Sequence, residues 1–133
     1  MKWDQVVKVA IDNILLDRTL ANIYGTNVRK MGTGDHLVPS LEWMKIGEAE
    51  DELWNPIVIQ WDQWCHTWDD LAASERQLRR LFHQDVPIVL GGVGMWLQYV
   101  DSGDHTDAQR DNFAGGWVRF RYTPLREKYD PVS

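Results

Sequence analysis

Residues 55–83 constrain the fold of this chain most, because an alternating strand pattern passes almost directly into a capped amphipathic helix. The strand part has two faces, with Ile57, Ile59, Trp61 and Cys65 on one and Val58, Gln60, Asp62, Trp64 and His66 on the other. The first face is predicted to point into the core. Thr67 can cap a helix over residues 68–82, whose first turn carries two aspartates and whose apolar side, from Trp68 onward, is expected to be buried. A strand joined so closely to a helix predicts a sheet with that helix packed against it.

Other parts of the chain add one more helix and several strands. Apolar residues recur with helical spacing from Trp3 to Leu15 and Gly25 follows as a stop, so a helix is predicted over about residues 3–23. A short separate turn of helix after Asp17 is the alternative for its end. Strand patterns lie at residues 27–31, 37–46, 95–101 and 117–123, and the strands on either side of the acidic segment 48–52 are expected to be antiparallel neighbours. The predicted class is α+β, with a mixed or antiparallel sheet of about four to five strands on two helices, in the order α-β-β-β-α-β-β.

Size and charge limit the classes of function. A chain of 133 residues fits a single domain, here residues 1–133, with a compact core over about residues 3–124 and a C-terminal arm over residues 125–133. The net charge of −6 opposes general nucleic-acid binding, which needs a cationic surface. The single cysteine excludes an internal disulfide, and the sequence has neither a signal-peptide pattern nor an apolar stretch of ~20 residues. We therefore expect a protein that folds in a cytoplasm and does not enter membranes.

The eight tryptophans exceed what one core of this size is expected to hide. Tryptophan combines a large apolar surface with an N–H donor and is enriched at protein–protein contacts. We expect about half of the tryptophans in the core and the others at interfaces.

No residues gather at the spacing that catalysis, cofactors or metals require. The run Gly91-Gly-Val-Gly94 lacks a phosphate-loop pattern and precedes a strand, so a kink or bulge is predicted there. The densest acidic cluster, residues 101–111, lacks the spacing of a calcium loop, and a polar loop is expected over residues 102–112. Cys65 and His66 should point to opposite sides of their strand, which makes a poor nucleophile–base pair. We therefore expect no enzymatic activity, no cofactor and no bound metal.

The sharpest functional candidate is the row Trp117, Arg119 and Arg121 on the final strand. If the alternate residues 118, 120 and 122 fill the core, strand geometry turns this row outward. Tryptophan and arginine are enriched at binding hot spots, so the row, helped by Trp64, is predicted to contact other subunits or protein partners. Both arginines are expected to be solvated in a single subunit, with acidic partners on a neighbouring copy at residues 48–52 and 101–111. A solvated strand face without a binding role is the alternative.

The order of elements resembles the tail terminator proteins of long-tailed bacteriophages. Four parts carry the resemblance: the opening helix with the following YGTNV segment at residues 24–28, the strand at residues 55–61, the helix at residues 71–82 and the closing strand at residues 117–122. The resemblance covers about residues 6–123 and is one of layout and local composition. It implies a small α+β structural protein of the virion tail or neck, assembled in the host cytoplasm.

The same resemblance implies a function and a set of partners. Members of the family form a hexameric ring that caps the tail tube, stops its polymerisation and joins the tail to the head-completion or neck proteins. DNA would pass through the ring lumen without specific binding, and an acidic wall suits that passage because like charges repel. Two alternatives stay open: a head-completion protein, acting as stopper or adaptor on the capsid side, and a small bacterial ligand-binding module or enzyme.

Overall fold

The computed structural model describes residues 3–33, 38–46, 56–90, 92–105 and 113–125. Its elements are, in chain order, α1 (Trp3–Leu16), α2 (Arg18–Tyr24), β1 (Val28–Lys30), β2 (Ser40–Ile46), β3 (Ile57–Cys65), α3 (Trp68–Phe82), β4 (Ile88–Leu90), β5 (Val93–Asp104) and β6 (Ala114–Pro124). The strands form one sheet in the order β1-β2-β3-β6-β5-β4, in which only β1 and β2 are parallel among the described pairs. The predicted α+β class with a mixed sheet is confirmed. The described residues contain six strands and three helices, however, which is more than predicted.

The predicted first helix is two helices, because the chain breaks at Asp17. This residue has extended backbone angles, φ −78° and ψ 123°, and its carboxylate accepts a hydrogen bond from the Leu20 N–H at 3.0 Å. The cap starts α2, and Gly25, at φ 61°, ends it. Ile14 before the break and Leu20 after it are both buried, so the apolar pattern continues across two separate helices.

Helix α3 begins and ends where the sequence predicts. The Thr67 hydroxyl accepts a hydrogen bond from the Asp70 N–H at 3.1 Å. Acidic residues lie in the first turn and two arginines in the last, as the helix dipole favours. Leu71, Leu78 and Phe82 are buried, and the helix contacts β3, β5 and β6. The strand-to-helix unit recognised in the sequence therefore forms the centre of the fold.

In the last third of the chain, the described residues form three strands where two were predicted. β4 and β5 form a hairpin in which Leu90 pairs with Val93, and Gly92 takes φ 79° in the turn, so the predicted kink in the glycine run is a hairpin turn. β5 runs on to Asp104, so residues 102–104 belong to a strand and not to the predicted polar loop. The rest of that loop, residues 106–112, and the predicted arm beyond Leu125 lie outside the described residues.

The core lies between the helices and one face of the sheet. Trp61 is fully buried at its centre, stacks on Phe82 with ring centroids 6.0 Å apart, and donates its indole N–H to the Tyr122 hydroxyl at 2.9 Å. Among the seven tryptophans that the structure describes, Trp61 is fully buried and Trp3 and Trp43 are partly buried against the core, which is close to the half that we expected there. Trp68, expected on the buried side of α3, is 61% exposed because it is the first residue of the helix.

Candidate functional site

The alternating residues of β6 lie on the two sides of the sheet that the sequence predicts. Val118, Phe120 and Tyr122 are fully buried on the helix side of the sheet. Strand geometry therefore places Trp117, Arg119 and Arg121 on the opposite side, which we call the distal face. β3 alternates in the same way, so Trp64 is also on the distal face. The structure thus brings all four predicted interface residues to one side of one sheet.

Two glycines on the distal face make room for the tryptophan rings. A Cβ atom built on Gly115 would lie 2.5 Å from Cζ3 of Trp64, and one on Gly103 would lie 2.8 Å from Cζ2 of Trp117. Real Cβ atoms do not approach so closely, so each indole lies flat over a position that has no side chain. This arrangement explains why residues 115 on β6 and 103 on β5 are glycines and why both tryptophans are partly buried on the strand face.

A connected set of polar side chains lies between the two tryptophans. Arg119 donates from Nε to Gln60 Oε1 at 2.9 Å and from Nη1 to Asp101 Oδ2 at 3.3 Å, and its guanidinium lies 4.6 Å from the Trp117 ring. Gln60 in turn donates from Nε2 to Asp62 Oδ1 at 3.1 Å. Since a guanidinium is always charged and presents its donors in a fixed fork, these contacts hold Arg119 in one orientation.

His105 completes this set from the end of β5. Its Nε2 lies 3.0 Å from Asp62 Oδ1, and its ring stacks on Trp64 with centroids 4.4 Å apart. Asp62 is only 2% exposed, so the carboxylate depends on these partners for its hydrogen bonds. The His105 side chain, at 25% exposure, covers it from the solvent side. Residue 105 is therefore attached to the sheet, although it was predicted in a polar loop.

The distal face therefore contains two kinds of predicted residue. Trp64, Trp117 and Arg119 are held by neighbours in the same subunit, and the expectation that Arg119 is simply solvated is wrong. Arg121 is exposed between Val58 and Gln98, and it forms no hydrogen bond or ion pair with any described residue. Of the predicted acidic partners, Asp101 is already paired with Arg119, and residues 48–52 lie outside the described part. Of the two arginines in the row, Arg121 is therefore the one without an ion-pair partner among the described residues.

Sequence reasoning missed Gln60, Asp62 and His105 as members of this site. Their side chains meet because β3, β5 and β6 are neighbours in the sheet, which local spacing does not reveal. One signal was present: a tryptophan on one strand faces a glycine on the next, as Trp64 faces Gly115 and Trp117 faces Gly103.

Cys65 is buried and poorly suited to nucleophilic chemistry. Its Sγ lies 3.4 Å from the Tyr24 hydroxyl, which is also 2.6 Å from Ser74 Oγ. Burial is the largest cause that raises the pKa of the Cys65 thiol to about 11, so the reactive thiolate is disfavoured. His66 lies one residue beyond the end of β3 and is exposed. Among the described residues there is no group of three or more His, Cys, Asp or Glu side chains able to hold a metal ion, and no helix able to span a membrane.

Comparisons with known proteins identify a fold relative but no sequence family. No family profile and no curated protein matches the chain. A chain in the solved structure "Virion of native gene transfer agent (GTA) particle" matches with a TM-score of 0.58 and 15% identity. The match covers 89% of this chain and 93% of the other. At this identity the match shows that the two chains share a fold over almost their whole lengths.

Proposed function

We propose that this chain is a structural protein of a phage-like virion and acts there as a tail terminator. One observation carries the proposal: the fold matches, over 89% of this chain and 93% of the other, that of a protein from a gene transfer agent virion. The layout resemblance to tail terminators points in the same direction.

In this proposal six copies form a ring that caps the tail tube, stops its growth and joins the tail to the neck proteins. A closed ring needs two different patches on each subunit, one for each neighbour, and the distal face supplies one of them. The chain does no chemistry in this role, which agrees with the buried Cys65 thiol. With a net charge of −6 per copy, the ring repels DNA electrostatically and lets it pass through the lumen.

Native mass and tail length test the proposal together. The purified chain should sediment as a hexamer, alone or with tube protein, and its addition should stop tube growth in a polymerisation assay. Hexamers that leave tube length unchanged but occupy the capsid side of the joint would favour the head-completion alternative. A chain that stays monomeric with tube protein and binds a small molecule would contradict the virion role.

A further inference from the structure

A small acidic pocket lies between the first half of α3 and the sheet. Its volume is about 210 Å³, and on the sheet side it is lined by Gln63, Gly116 and Asp104, which are neighbours across β3, β6 and β5. The volume is below the roughly 300–1,000 Å³ typical of small-molecule sites, so it suits one inserted side chain.

The walls of the pocket favour a cation with an apolar stem. Trp68, 61% exposed, and Leu71 provide apolar surface on the helix side. Glu75 and Asp104 provide carboxylates; Glu75 shares its charge with Arg79 at 3.5 Å, whereas Asp104 has no ion-pair partner among the described residues. An arginine fits such a site, because its stem packs on apolar surface while its guanidinium stacks on an indole and pairs with a carboxylate.

The chain itself presents such an arginine at another place. Arg121 is exposed on the distal face and has no partner among the described residues. It lies five positions along β6 from Gly116, or about 16 Å at the rise of a strand, and on the other side of the sheet. Arg121 therefore cannot enter the pocket of its own subunit, although a second copy can supply it.

We infer that Arg121 of one copy inserts into the pocket of the next, between Trp68 and Asp104. The contact joins two different patches, as a head-to-tail ring requires, so this inference rests on the ring proposed above. The occupant is a second copy because the chain carries both an exposed cation and a pocket carboxylate that have no partner among the described residues. The inference supplies a specific partner for Arg121, while Arg119 stays within its own subunit.

A charge exchange tests the contact. Arg121→Asp alone and Asp104→Arg alone should each raise the concentration at which rings form by about tenfold or more, as expected for a hot-spot pair. The double variant Arg121→Asp/Asp104→Arg should recover assembly. An equimolar mixture of the two single variants should also form rings, of alternating composition, because each supplies the half that the other lacks. Arg18→Asp, at an exposed arginine outside the pocket, is the matched control and should assemble normally.

The outcomes distinguish a failure of the Arg121–Asp104 contact from a failure of the proposed ring. Two outcomes would overturn the contact and leave the ring intact. In the first, the wild type forms rings and neither single variant weakens their assembly. In the second, a single variant loses assembly and neither the double variant nor the mixture restores it. A wild-type chain that remains monomeric with and without tube protein would overturn both. Urea unfolding of each variant separates lost assembly from lost folding. Arg121→Ala and Asp104→Ala, which add no repulsive charge, should each weaken assembly as well.

Discussion

At the scale of single residues, Trp61 is the side chain on which the core depends most. It is fully buried, stacks on Phe82 and donates a hydrogen bond to Tyr122. Trp61→Ala should therefore lower the free energy of unfolding by about 3–5 kcal/mol, through the cavity and the unpaired Tyr122 hydroxyl. Urea denaturation measures this loss. Trp68→Ala, at an exposed indole, is the control and should change stability by less than about 0.5 kcal/mol; equal losses in the two variants would refute the assigned core.

The buried thiol predicts how stability depends on alkaline pH. The pKa of Cys65 is about 11 in the folded chain against an ordinary 9.0, chiefly because of burial. Between these values the unfolded chain has lost a proton that the folded chain keeps, so stability should fall as pH rises from about 9 to 11. Burial also raises the pKa of Tyr24, which adds to the fall at the upper end.

Urea midpoints across this pH range measure the effect. Cys65→Ala should show a shallower decline than the wild type, because the thiol no longer contributes. An identical decline in both proteins would mean that the thiol is not the group responsible. Modification of the native thiol by a disulfide reagent near neutral pH should likewise be slow, because the thiol is buried.

At the scale of elements, the cap of α3 is the clearest local determinant. Thr67→Ala removes the hydroxyl that accepts from the Asp70 N–H and should destabilise the protein by about 1 kcal/mol. Thr67→Ser keeps that hydroxyl and should retain most of the stability. Thermal unfolding of the two variants side by side checks the prediction, and a serine variant as unstable as the alanine variant would point to the threonine methyl group instead.

The elements also show which parts of the fold the sequence could predict. β3 and α3 were predictable because alternation, helical period and a capping threonine agree within one continuous stretch. β4, of three residues, was not predicted, and the start of β6 was missed because Gly115 and Gly116 give no alternating pattern. Gly115 instead receives the Trp64 ring from β3. The distal polar set could not be predicted, since Gln60, Arg119 and His105 meet only after β3, β5 and β6 have paired.

At the scale of the whole molecule, the predicted residues of the distal face fall into two groups, those held by contacts within the subunit and those without such contacts. Trp64, Trp117 and Arg119 belong to the first group, and their role at an interface stays a prediction. Arg121 belongs to the second, because it is exposed and unpaired among the described residues. We therefore expect substitutions of Arg119 and Arg121, which are separated by one residue on β6, to have different effects on the stability of the subunit.

Arg119→Glu should destabilise the single subunit by about 1–3 kcal/mol. The change removes the hydrogen bonds to Gln60 and Asp101 and places a second carboxylate beside Asp101, which is only partly screened by solvent. Arg121→Glu should leave the free energy of unfolding within about 0.5 kcal/mol of wild type, since the side chain is exposed on a strand face. Urea unfolding of both variants at a concentration that keeps the chain monomeric isolates this folding effect from any ring contact. Equal stability of the two variants would show that the Arg119 contacts contribute nothing to folding, and strong destabilisation by Arg121→Glu would place Arg121 among the residues that support the fold instead of those that face a neighbour.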